Sequence, residues 1–277
     1  MDWIVALKAI ALGFVEGLTE FLPISSTGHL IVAEDLIRFR SGSREVFIVA
    51  IQAGAILAVC WEYRARIGHL LRGLARDRTE QRLALNVVIA FLPAAVLGVL
   101  FKRAIETYLF FSVPVAAALV VGGLIILWVE KVHARRDYRP RVNTMDEMSA
   151  LDALKIGCAQ CFSLVPGTSR SGATIIGGLL VGLSRTAATQ FSFFLAMPTV
   201  IGATVYSLYK ARDALFAADV PLFAAGNVAA FISALVCVRW LLRYVATHDF
   251  RAFAWYRIVF GGLILLTAQL GWVDWSD

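Results

Sequence analysis

Cysteine is scarce, with four in 277 residues. Only Cys158 and Cys161 have redox or metal-motif spacing, and neither a second pair nor a nearby histidine accompanies them. That excludes a disulfide framework and a zinc centre, and leaves the cysteines as small packing residues in apolar segments. Charge is scarce too. Charged residues make up 17% of the chain, against 59% hydrophobic residues and a mean hydropathy of +0.74. A soluble domain of this size needs more polar surface, so an integral membrane protein is expected. The first ten residues, MDWIVALKAI, lack a basic leader and a small-residue cleavage site, and are expected to be mature structure and not a signal peptide. The net charge of +6 could suggest an anionic partner, but its distribution assigns most of it to topology.

What is present is apolar sequence in six long stretches: Val46–Trp61, Leu83–Phe101, Phe110–Val129, Phe191–Tyr209, Val220–Val238 and Trp255–Trp272. A crossing needs about 20 residues, the shorter stretches being completed by their flanks. Six Lys or Arg residues lie in each of Glu62–Arg82 and Lys131–Lys155, and four lie in Arg239–Arg257. The opposite connections carry only Lys102, Arg103, Lys210 and Arg212, and the C-terminal WVDWSD is acidic. The positive-inside rule then puts the basic segments in the cytoplasm and both termini outside.

The two halves repeat. A shift of 144 positions aligns Ala6–Ile31 with Ala150–Ile175 without a gap, and seven of the 26 positions are identical. About two are expected by chance in so apolar a composition. Farther on, Phe47 pairs with Phe191, Asn86 with Asn227, and GGLI at 122–125 with GGLI at 261–264. Three crossings per half make the repeat inverted. The expected fold is all-α: one membrane domain over residues 1–277, with repeat one about 1–138 and repeat two about 139–277. Six transmembrane helices are joined by two re-entrant helical hairpins. In the first, Ile4–Val15 is followed by Glu16, Glu20 and Pro23 and then by Ile24–Val32; in the second, Leu151–Val165 is followed by PGTSRSG and then by Ala173–Leu183. Backbone broken at that depth requires a protein or watery surround.

Those breaks hold the chemistry. Ionisable groups inside a membrane are costly and mark function. Glu16 and Glu20, four apart, share a helix face and could bind a hard divalent cation or supply a base; interfacial capping acids are the alternative. Ser25, Ser26, Thr27, Gly28 and His29 offer a nucleophile, a proton-transfer group and free backbone N–H donors, where N-capping would need a single hydroxyl. His29 alone could be a satisfied core histidine. In the second break, Gly167, Thr168, Ser169, Ser171 and Gly172, with Thr174 beyond, let amides and hydroxyls converge on an anion. Arg170 adds a planar fork suited to phosphate, or else forms a structural ion pair with Glu16 or Glu20. Brought together, these groups form a phosphoryl-transfer set.

EGLTEFLPISSTGHL and PGTSRSGAT resemble the two signature motifs of the undecaprenyl pyrophosphate phosphatase family, the bacitracin-resistance type, and the resemblance extends through the whole chain. It implies a bacterial inner-membrane enzyme that removes the terminal phosphate of undecaprenyl pyrophosphate, leaving undecaprenyl phosphate as recycled cell-wall lipid carrier. It further implies Ser26 as nucleophile, completed by Glu16, Glu20, His29 and Arg170, in a site facing the periplasm. It also implies a divalent cation, Mg2+ or Ca2+. The expected partners are the polyprenyl pyrophosphate lipid and the membrane, with no nucleic acid and with a homodimer left open. A transporter or lipid flippase would not need a nucleophile beside Arg170, although a carrier-flipping role added to hydrolysis stays open. The phosphatidic-acid-type phosphatases expect a histidine five residues after the arginine, where Ile175 stands here.

Overall fold

The computed structural model describes residues 3–39, 44–109, 111–134, 139–212 and 220–270. Among them are eleven α-helices and no named strand. They are α1 (Trp3–Thr19), α2 (Ser26–Ile37), α3 (Arg44–Glu62), α4 (Arg64–Gly73), α5 (Arg78–Leu109), α6 (Ser112–His133), α7 (Ala150–Gln160), α8 (Arg170–Leu180), α9 (Arg185–Lys210), α10 (Val220–Val245) and α11 (Arg251–Gln269).

Five of these, α5, α6, α9, α10 and α11, are long and apolar enough to cross a bilayer. A sixth crossing results if α3 and α4, bent by 73° at their junction, count as one broken span. The chain is a multi-pass helical membrane protein. All six expected stretches fall within helices apart from the flanking Phe111 and Leu270, while Phe110 and residues 271–277, with WVDWSD and Ser276, lie outside the described residues. The bend after Glu62 was not expected. It occurs where apolar sequence gives way to Arg64 and Arg66, and Arg66 then pairs with Glu80 at the start of α5, 2.6 Å away. At 1.5 Å per residue α5 is about 48 Å long, well beyond a hydrocarbon core of about 30 Å.

The fully buried Leu12, Phe21, Phe47, Ile51, Phe191 and Phe193 pack into one core. Leu85, Leu92, Val96 and Val99 are exposed along one face of α5, as are Val228, Ile232 and Val236 along α10, which suits a surround of lipid. α1 packs along α10 and α7 along α5, while α6 pairs with α11. Gly13 makes the first contact close, since a methyl there would stand 2.1 Å from the Gly226 carbonyl oxygen.

The three basic segments meet at one end. Arg66 bonds Asp146 at 2.6 Å, Arg239 bonds Glu62 at 2.7 Å, and Glu130 accepts from the Phe250 amide at 3.0 Å. There Ser149 caps α7, and Asp152 returns the bond to the Ser149 amide at 3.0 Å. Burial of Asp152 pushes its carboxyl up, but the Ser149 bonds and Arg141 outweigh this and hold it below the usual value.

Candidate active site

Each half contains a helix, a break and a second helix. α1 gives way to residues 20–25 and then α2; α7 passes through a 3-10 turn, Cys161–Leu164, and the loop 165–169 before α8. Proline and glycine account for the breaks. Gly167 has φ +91°, and a Cβ there would lie 2.3 Å from the Val115 carbonyl oxygen, so only glycine fits. The residue before each second helix is a serine in the left-handed region, Ser25 at φ 73° and Ser169 at φ 72°. Such a conformation costs about 1–3 kcal/mol for a non-glycine residue and persists only where its surroundings hold it.

Its surroundings differ between the halves. Ser169 Oγ accepts from the Gly172 amide at 3.1 Å and so caps α8. Ser25 makes no side-chain cap, and the first amides of α2 are left without one. The capping role is thus realised in the second loop and not in the first, so the N-terminus of α2 keeps its capacity to bind an anion.

A cavity of about 190 Å³ opens between the two loops. From the first loop Glu20, Ser25, Ser26 and Thr27 line it; from the second, Gly167, Ser169 and Arg170. Ser26 Oγ donates to Glu20 Oε2 at 2.6 Å. The other Glu20 oxygen faces Arg170 Nη2 at 3.3 Å, and Arg170 Nη1 donates to the Ser192 carbonyl at 3.2 Å. The buried Nε of Arg170 has no acceptor among the described residues. The ion pair weighed from the sequence therefore forms with Glu20, yet it leaves guanidinium N–H capacity for a phosphate. Phe21, edge-on to Phe193 at 5.5 Å, places an apolar ring 6.0 Å below the guanidinium. An enclosed apolar wall of this kind strengthens the charge interactions beside it.

The other expected site residues lie behind this cavity or away from it. Glu16 is fully buried, one helical turn before Glu20, and neither of its oxygens has a hydrogen-bond partner among the described residues. Such a carboxylate, with Glu20 on the same face, offers hard oxygen donors that fit a divalent cation. Ser171 Oγ donates to the Leu22 carbonyl at 2.7 Å, and Thr174 Oγ1 bonds Ser192 Oγ at 2.6 Å. These two expected ligand groups tie the second loop to its neighbours. Gly28, Thr168 and Gly172 do not line the cavity either.

His29 has a separate environment. Its Nδ1 lies 2.7 Å from the Ser25 carbonyl oxygen and its Nε2 lies 2.6 Å from the Tyr256 hydroxyl. A carbonyl only accepts, so Nδ1 carries the proton and Nε2, in a neutral ring, accepts from Tyr256. The ring also stacks on Phe260 at 4.4 Å. His29 thus supports the strained Ser25 carbonyl, and it does not line the cavity with Ser26.

The family model for bacitracin resistance protein BacA matches residues 9–263. The chain belongs to the BacA family. Similar proteins named undecaprenyl-diphosphatase occur in Janthinobacterium sp. (strain Marseille), 62% identical over the full length of both chains, and in Herminiimonas arsenicoxydans, 60% identical over the same extent. A third, from Nitrosomonas europaea, is 59% identical over all of this chain and 99% of its own.

In this BacA-family chain two kinds of site residue escaped the sequence reading. Gln52 of α3 and Thr199 of α9 line the cavity from within apolar crossing segments, where one polar residue gives no local signal. Arg257 was counted among the topological arginines but is 1% exposed, the largest fully buried side chain among the described residues. A buried cation is not distinguishable from an interfacial one by composition.

Proposed function

We propose that this chain is an undecaprenyl-diphosphatase that hydrolyses undecaprenyl pyrophosphate to undecaprenyl phosphate and inorganic phosphate, and so confers bacitracin resistance. The observation that carries the reading is Ser26 Oγ 2.6 Å from Glu20, with Arg170 on the other Glu20 oxygen, at the uncapped N-terminus of α2. Full-length similarity to undecaprenyl-diphosphatases supports it.

In this reading the diphosphate enters between the loops. The amides of Ser26 and Thr27 and the Arg170 fork hold the terminal phosphoryl group. Ser26 Oγ attacks its phosphorus as its proton passes to Glu20, and the bond from phosphorus to the bridging oxygen breaks. Undecaprenyl phosphate departs with the electron pair. Water then attacks the phosphoserine, and Ser26 recovers its proton from Glu20. One water proton stays on the released phosphate and the other goes to solvent. A divalent cation, Mg2+ or Ca2+, would be held by Glu16 with Glu20, and when bound it supplies positive charge against the diphosphate.

The two halves form an inverted repeat of six crossings and two re-entrant hairpins in this proposal. Support comes from Ser25 and Ser169, 144 positions apart with φ values of 73° and 72°. Reciprocal packing adds to it, α1 on α10 and α7 on α5. None of α1, α2, α7 and α8 exceeds about 26 Å, too short for a crossing of about 30 Å. The site then opens to the periplasmic side of the inner membrane, with the three basic segments, the buried Arg257 excepted, in the cytoplasm.

The test is purified protein in detergent with a polyprenyl pyrophosphate. One phosphate should be released per lipid, and chelation with EDTA should suppress the release until Mg2+ or Ca2+ is restored. Lipid transport without phosphate release would overturn the assignment. Topology is tested separately, by single cysteines in a cysteine-free background. Arg72→Cys, Arg139→Cys and Asp249→Cys should react only with reagent admitted to the cytoplasm. Labelling of Arg139→Cys from outside would overturn the orientation.

A further inference from the structure

Arg257 on α11 is fully buried with no carboxylate paired to it among the described residues, an arrangement that is costly unless every N–H is matched. Here all the matches are backbone carbonyls. Nε donates to Leu119 at 3.2 Å, and Nη1 donates to Pro23 at 3.1 Å and Thr168 at 2.8 Å. Nη2 donates to Ala118 at 3.0 Å and Gly167 at 3.1 Å. Five N–H groups meet five oxygens, which is the full donor capacity of a guanidinium.

The choice of carbonyls is informative. Pro23 and Gly167 stand 144 positions apart, at equivalent points of the two breaks. One side chain therefore binds the same carbonyl in both loops. Ala118, a third acceptor, is the residue with which Arg257 aligns at the 139-residue offset of the GGLI segments. The fit is close as well, since a methyl on Gly122 would come within 2.2 Å of Nη2.

We infer that Arg257 is a positioning residue for phosphoryl transfer: it locks the Pro23 and Gly167 carbonyls together and so sets Ser26 of one loop opposite Arg170 of the other. The inference rests on the proposed roles of those two residues. Ser26 lies three residues after Pro23, and Arg170 three residues after Gly167, so a shift at either carbonyl is passed on to the reacting groups. Misplacement of about 1 Å is enough to cost on the order of 10²-fold in rate. Arg257 hydrogen-bonds only backbone carbonyls and does not line the cavity, so its loss should fall on kcat, which needs Ser26 and Arg170 in line, more than on KM, to which the contacts of the apolar tail also contribute.

The test uses full-length protein in detergent, with kcat and KM for phosphate release and the thermal midpoint measured for each variant. Arg257→Lys keeps the charge but has three donors and no planar fork. It should lower kcat about 10²-fold while KM moves less than about threefold. Gly122→Ala displaces the guanidinium without removing it, and should give the same split in a chain that keeps every polar group. Gly262→Ala, with nothing within 4 Å of the added methyl, should match the parent. Parental kcat in both Arg257→Lys and Gly122→Ala overturns the inference. So does a loss that follows only the fraction of folded protein, with turnover per folded molecule unchanged. Ser26→Ala, assayed alongside, reads the site itself: retained turnover there overturns the assignment of the site, and this inference with it.

Discussion

Ser26→Ala should stop phosphate release, with a loss on the order of 10⁴-fold or more, equivalent to about 5.4 kcal/mol of transition-state stabilisation. The size of the effect follows from the geometry. A serine hydroxyl is a weak nucleophile at neutral pH and needs a base beside it, and the Ser26 hydroxyl already donates to Glu20 Oε2 at 2.6 Å. Removing the oxygen removes both the attacking atom and the proton donor to Glu20. The same experiment separates Ser26 from His29. Both His29 ring nitrogens are engaged, by the Ser25 carbonyl and the Tyr256 hydroxyl, so His29→Ala should lose less than about 10²-fold, below the range of a general acid or base. Measured turnover of the two variants checks this, with the phospho-enzyme trapped by acid quench for phosphoserine and by alkaline detergent quench for phosphohistidine, which acid would hydrolyse. A trapped phosphohistidine, or substantial turnover in Ser26→Ala, would remove Ser26 from its role.

Arg170→Lys should lose about 10²-fold or more in kcat, about 2.7 kcal/mol. The substitution keeps a positive charge against Glu20 and could preserve an ion pair. It cannot reproduce a planar fork that reaches Glu20 with Nη2 and Ser192 with Nη1 and still has a second N–H on each of those nitrogens. A phosphoryl group in transfer spreads charge over three oxygens, and a single ammonium addresses that charge less well than a fork of fixed geometry. The decisive comparison is kcat in Arg170→Lys against the parent at saturating lipid. Near-parental turnover would make Arg170 a counter-ion to Glu20 and no more.

Much of the molecule could be read before its structure. Five long apolar helices, a sixth where α3 and α4 count as one span, two broken helices and the residues of both breaks follow from local pattern, because twenty apolar residues in a row have one stable environment and proline or glycine interrupts a helix wherever it stands. The family resemblance was carried by the same two breaks. The bend of α4 away from α3 was hidden, since an arginine-rich segment reads equally well as a solvated loop.

The sequence by itself determined the membrane class, the repeat and the inventory of polar groups. Tertiary structure alone decided which of those groups meet. Ser26 and His29 are three residues apart on one helix, yet the first faces Glu20 and Arg170 and the second faces Tyr256, 227 positions away. Ser171 and Thr174 read as phosphate ligands, and packing turned their hydroxyls to the Leu22 carbonyl and to Ser192. Arg257 read as a topological charge, and the fold placed it among five carbonyls. The reason is the same in each case. Hydrogen-bond partners distant in the chain are set by how helices pack and rotate against one another, which depends on the whole core and leaves no trace in a local pattern.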